Sequence, residues 1–194
     1  MLMEDTTKVS EASRTDDDGA INFLRDAVAI RDKHRSEMSL QYSLSVHHLG
    51  VLRLRNLLEE NHGDLVRNKR NLDEAVFYLS QALHIRRIIL GDHLDAADSA
   101  NHLGVALWKK INVSDEIQNN KEAMVHAVKH LDDALFIRMS ILERESRYMS
   151  KDSTRNQLGS PDDMIDIGSV VVKTVENLYD IARIHEMQDD FETQ

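Results

Sequence analysis

The chain of 194 residues has no cysteine, one proline, seven glycines and only 5% aromatic residues. Without cysteine there are no disulfides, no thiolate nucleophile and no Cys-ligated zinc, and a reducing compartment suits such a chain. Scarce proline and glycine leave few points where a helix must stop, while Leu, Ala, Glu, Arg and Lys supply strong helix formers. No apolar run approaches the roughly 20 residues that cross a bilayer. The first ten residues are polar and carry acids, which fits neither a secretory signal nor a transit peptide. A cytoplasmic address and no membrane follow as expectations. The formal net charge of −10 sets the surface against double-stranded nucleic acid and favours basic or mixed-charge protein segments.

What is present is repetition. Ala20-Ile-Asn-Phe-Leu-Arg-Asp-Ala-Val-Ala-Ile-Arg31, Ala75-Val-Phe-Tyr-Leu-Ser-Gln-Ala-Leu-His-Ile-Arg86 and Ala127-Val-Lys-His-Leu-Asp-Asp-Ala-Leu-Phe-Ile-Arg138 are three copies of one pattern. Each has Ala, Leu four on, Ala seven on, then Ile-Arg. The Ala pairs share a helix face. A second pattern alternates with it. Val46-His-His-Leu49-Gly50 is echoed by Ala100-Asn-His-Leu103-Gly104, and more weakly by Val175-Glu-Asn-Leu178-Tyr179. Glycine inside a helix costs about 1 kcal/mol relative to alanine, so Gly50 and Gly104 are read as points of close helix approach. The expected fold is therefore all-α: a solenoid of about three helical hairpins with long inter-helix segments.

Residues 1–15 show no periodicity and read as a disordered tail, and 16–194 as the repeat domain. Asp16-Asp17-Asp18-Gly19 reads as a helix start. Residues 56–71 and 109–121 either lengthen the helices or form polar loops, and a loop is expected at about 147–168.

The Leu-Gly pair followed by spaced Ala, large apolar and Ala resembles the tetratricopeptide repeat (TPR). Ala82 to His93 followed by Ala100-Asn-His-Leu-Gly104 resembles its kinesin-light-chain subtype, although Leu94 stands where that subtype has proline. The resemblance implies a B-A order repeated three times, with the motif helices as B. It implies that A helices line a concave groove that takes a partner peptide or helix. By that register the groove positions are Leu44, His47, Val51 and Leu54; Asp98, Asn101, Val105 and Trp108; and Lys173, Glu176, Asp180 and Arg183. Trp108, the single tryptophan, and Val105 are the expected anchors. Asn101 and His47 would bond a peptide backbone, and Asn101 and Asn177 echo the subtype's asparagines. Glu176 and Asp180 would favour Lys or Arg and repel the acidic C-terminal tail that chaperone-binding members hold. Tyr179 takes the third glycine place, where a following B helix would clash.

Catalysis finds no support. There is no Gly-x-Ser-x-Gly, no phosphate-binding glycine loop and no paired acid–base arrangement with a cleft to serve. His126 and His130 lie four apart, a spacing that can place two imidazoles on a metal, yet no third ligand accompanies them. The reading is a non-catalytic adaptor without cofactor or metal, with self-assembly of the chain as the alternative and a histidine-based metal protein or enzyme as the more remote one.

Overall fold

A computed structural model describes residues 4–33, 39–59, 65–113, 117–152 and 165–192, with side chains described for most of these. Six helices follow one another in these residues: α1 (Glu4–Lys33), α2 (Leu40–Glu59), α3 (Leu65–Leu90), α4 (Leu94–Val113), α5 (Ile117–Asp152) and α6 (Ile167–Glu192). Each packs on the next, so the chain is an all-α, helical-repeat-like fold. The three motif copies fall on α1, α3 and α5, and the alternating pattern on α2, α4 and α6.

Several boundaries differ from the sequence reading. α1 runs back to Glu4, so residues 4–15 are helical rather than a disordered tail. No proline interrupts them, and interior carboxylates cost a helix only tenths of a kcal/mol. Asp16-Asp17-Asp18-Gly19 therefore lies inside α1. The polar segments 56–71 and 109–121 mainly lengthen helices, since α2 ends at Glu59, α3 begins at Leu65, α4 ends at Val113 and α5 begins at Ile117. α5 extends to Asp152, into the expected loop, whose residues 153–164 lie outside the described residues.

Local signals set the ends. Gly91 has φ 64°, and its N–H donates to Arg87 O at 3.1 Å, ending α3 in the left-handed turn that glycine adopts without strain. Two residues on, the His93 ring Nδ1 accepts the Asp95 N–H at 3.1 Å and caps α4. Ser39 Oγ caps α2 through the Tyr42 N–H, and Asp166 caps α6 through the Ser169 N–H.

The glycine reading is confirmed atom by atom. A Cβ built on Gly50 would lie 2.7 Å from Leu79 Cγ, and one on Gly104 would lie 2.7 Å from Leu131 Cγ and 2.9 Å from Ala127 O. Both glycines thus press on the motif Ala and Leu of the following B helix. Leu54, Leu72, Ala75, Leu79, Ala97, Ala100, Leu103, Ala134 and Ile137 make the central core, and Tyr42, Val46, Ala82 and Ile85 a second cluster beside it.

Candidate functional site

Each of the three motif copies ends on Ile-Arg, and these arginines explain how the A helices are held. Arg31 donates to Ser45 Oγ on α2 at 3.0 Å. Arg86 donates to Asp95 O and Ser99 Oγ on α4, each at 2.8 Å. Arg138 donates to Lys173 O at 2.9 Å and to Asn177 Oδ1 on α6. Each B helix therefore clamps the A helix that follows. Arg86 and Arg138 are buried and hydrogen-bonded, as a buried guanidinium requires.

These contacts fix the register of the third A helix. The acceptors of Arg86 are four residues apart (Asp95, Ser99), and so are those of Arg138 (Lys173, Asn177). Asn177 thus stands where Ser99 stands, three residues from the alignment that pairs Leu178-Tyr179 with Leu103-Gly104. In the corrected register Ala182, a small residue, holds the place of Gly104, and Tyr179 holds that of Asn101. Burial agrees: Thr174, Asn177 and Ile184 are buried, whereas Leu178 and Tyr179 are exposed. Asn177 is no groove residue, since its amide donates to Leu131 O at 3.0 Å and its carbonyl accepts from Arg138.

Helices α2, α4 and α6 meet along one face, joined by polar side chains. His47 and His102 rings lie 5.4 Å apart, and His47 and His48 rings 5.5 Å apart. Asp98 is the hub between α4, α5 and α6. One oxygen accepts from Arg138 at 2.9 Å and the other from Lys173 at 2.6 Å. Burial pushes the Asp98 pKa up, but these two cations outweigh it and hold the carboxyl below its usual value. Burial, aided by Arg86, His102 and His48, pushes His47 down to about 2, so His47 is neutral. Its Nδ1 lies 3.1 Å from Ser99 Oγ. Because Ser99 already accepts from Arg86, its hydroxyl is placed to donate to His47. His102 Nδ1 donates to Asp98 O at 2.8 Å, and burial lowers its pKa too.

Further along the face, Arg183 lies over Trp108 with 4.8 Å between its guanidinium carbon and the ring centroid, and 5.8 Å from the Tyr179 centroid. Lys109 approaches the same indole at 5.8 Å. Burial lowers the Lys109 pKa and raises that of Asp180, with Arg183 adding to the first shift and opposing the second. Acid and base therefore alternate here.

The expected groove residues fall into three groups by burial. Val51, Asp98, Asn101, Val105, Lys173 and Asp180 are half-buried on this face, and Leu44, Glu176 and Arg183 are exposed. His47, Leu54 and Trp108 are buried. Leu54 and Trp108 lie four residues after Gly50 and Gly104, hence on the glycine face that meets the next B helix rather than an open groove. Leu54 joins the central core, and Trp108 packs with Ile111, Met124, Ala127, Leu131 and Ile184. Trp108 is a core residue whose exposed margin Arg183 covers, not a free anchor.

No family model matches the chain, and no curated protein matches it.

Asn101 stands out within this face. Its Oδ1 is shielded from water and has no hydrogen-bond partner among the described residues. Arg53 Nε, Asn68 Oδ1, His130 Nδ1 and Arg138 Nε also lack a hydrogen bond among the described residues, but Arg53 is ion-paired with Glu74 and the other three lie on α3 and α5. Asn101 Oδ1 is thus an unpaired acceptor on this face, at a penalty of about 1–3 kcal/mol. His126 is exposed and His130 half-buried, and no three of His, Asp and Glu among the described residues come together to hold a metal ion. No helix among the described residues is long and apolar enough to cross a membrane. Sequence reasoning missed Arg86, Arg138, Ser99 and Lys109. The recurring Ile-Arg was the available signal for the first two, because a charged residue repeated at one fixed place in an apolar helix pattern asks for a polar partner on the neighbouring helix.

Proposed function

We propose that the chain is a TPR-like protein-interaction adaptor that binds an extended segment of a partner protein across the face of α2, α4 and α6. The observation that carries this reading is the unsatisfied Asn101 Oδ1 in the middle of that face. A peptide backbone N–H is its natural complement, and the Asn101 amide can donate to a carbonyl in return. Around it the face offers the half-buried Val51 and Val105 for apolar contact. Asp180 and Glu176 suit a Lys or Arg side chain, and Lys109 and Arg183 suit an acidic one. The partner segment is therefore mixed in charge, with at least one basic residue opposite the α6 end.

A displayed library of random extended peptides, selected on the purified chain, tests this. Asn101→Ala removes an acceptor that has no partner within the fold, so thermal stability is expected to hold or rise. Binding of the selected peptides is expected to fall about tenfold, the worth of one buried hydrogen bond. Arg183→Ala is expected to discriminate among peptides by charge. Selected peptides that bind both variants as tightly as the parent would sink the reading. A peptide ending in an acidic carboxylate tail is expected not to be selected.

A further inference from the structure

Two helix faces, one on α1 and one on α6, are uncovered among the described residues, and they complement each other. Within the chain each A helix receives the following B helix on its glycine face. Val46 on α2 and Ala100 on α4 are fully buried by that contact, beside Gly50 and Gly104. In α6 the same register positions are Leu178 and Ala182. Leu178 is 50% exposed, its neighbours on the face, Val171 and Val175, are exposed at 45% and 60%, and Ala182 is exposed. No B helix among the described residues covers them. α1 has the opposite deficit. Among the described residues it packs on one A helix, α2, and its other side receives none. Ile85 on α3 and Ile137 on α5 are 4% and 2% exposed against the preceding A helix, whereas Ile30, their counterpart, is 59% exposed. Ala20, Leu24 and Ala27, the counterparts of the fully buried Ala75, Leu79 and Ala82, are only half-buried.

We propose that α6 of one copy receives α1 of a second copy, so that chains join head to tail in the register of their internal A–B pairs. The occupant is argued from the chain itself. The surface that α6 lacks is a helix bearing Ala, Leu four on, Ala seven on and Ile ten on. α1 carries that pattern with Ile30 exposed and Ala20, Leu24 and Ala27 only partly covered. Ile30 of the second copy falls opposite Val175 and Leu178, as Ile137 falls among Ala97 and Ala100. Leu24 falls beside Ala182, as Leu131 falls on Gly104, with the Ala182 methyl holding the two helices further apart than α4 and α5. Such an interface is heterologous. It uses different surfaces on the two copies, leaves one of each free, and extends to chains of copies rather than stopping at a dimer. It does not rest on the peptide-binding reading, because the glycine face of α6 and the face that carries Asn101 are different.

Sedimentation of the full chain tests it. The mass is expected to rise with concentration past that of two copies. Leu178→Asp and Ile30→Asp replace exposed residues, so each folds, which circular dichroism checks. Each is expected to weaken association about a hundredfold by placing a charge in an apolar contact. Ala182→Trp, harmless at an exposed position, blocks the close approach and is expected to do the same. Mixing supplies the decisive arm. Leu178→Asp keeps a sound α1 end and Ile30→Asp a sound α6 end, so an equimolar mixture forms a species of two chains and no larger. A protein that stays monomeric into the millimolar range overturns the proposal and leaves the α6 face to a helix from another protein. Dimers of Leu178→Asp or of Ile30→Asp alone, as strong as those of the parent, overturn it in favour of a symmetric contact.

Discussion

His47 shows what a single buried side chain imposes on the molecule. Folding holds its pKa at about 2 against an ordinary 6.5, with burial first and Arg86, His102 and His48 next among the causes, and Asp98 opposing. The unfolded chain takes up a proton below pH 6.5, and the folded chain does not. The stabilisation is therefore complete above pH 6.5 and declines as pH falls. The slope approaches about 1.4 kcal/mol per pH unit for one histidine that stays neutral. His48 and His102, also lowered, act in the same direction. Asp98 adds to it only below the ordinary carboxylate range, because its folded pKa is depressed. His47→Asn installs the residue that holds the same place on α4. Urea unfolding between pH 7 and pH 5 should show a shallower loss of stability in this variant than in the parent. An unchanged slope would mean that His47 is not the source.

At the scale of the element, the two kinds of glycine predict opposite signs. Gly19 lies in α1 with nothing within 4 Å of a built Cβ, so Gly19→Ala should gain up to about 1 kcal/mol from helix propensity. Gly104→Ala has the same propensity gain but drives a methyl to 2.9 Å from Ala127 O. That carbonyl belongs to the backbone of α5 and yields only if the helix moves. Overpacking of this kind costs about 1–3 kcal/mol, so after the propensity gain the net effect should be a loss of up to about 2 kcal/mol. Denaturant titration of both variants checks the pair, and a stabilised Gly104→Ala would show that α4 and α5 do not pack as described. Gly104 was legible in the sequence because glycine amid helix formers has a cost that only a close neighbour offsets. The B helices were legible for a similar reason, their Ala and Leu recurring on one face. The register of α6 was not. Leu178-Tyr179 imitates Leu-Gly in spacing, while the position that decides the register is Asn177, whose role depends on Arg138 far away in sequence. The same limit hid the true direction of Trp108. An aromatic at the fourth residue after a packing glycine belongs to the core, a rule of helix geometry that outranks the general fitness of tryptophan for a groove.

Across the whole molecule, stability should fall from the middle toward both ends, since each helix of a repeat array is supported only by its neighbours. α3 and α4 are covered on two sides and bury most of their motif residues. Among described side chains, α1 buries one hydrophobic residue, Ile21, and α6 two, Val170 and Ile184. α6 is held instead by Arg138, Asn177, Lys173 and Asp98. Native-state hydrogen exchange should therefore find α6 and the described α1 opening locally while α3 and α4 exchange only through global unfolding. Asn177→Ala leaves Arg138 and Leu131 O short of a partner inside the protein. It should speed exchange in α6 well beyond any change in α3, because the lost bonds all lie at that junction. Equal protection in all six helices would show that the array unfolds as one unit. The same measurement also reports on association. If α1 of one copy covers α6 of another, raising the concentration must slow exchange in these two helices and leave α3 unchanged, since each terminal helix then gains the second neighbour that the central ones already have.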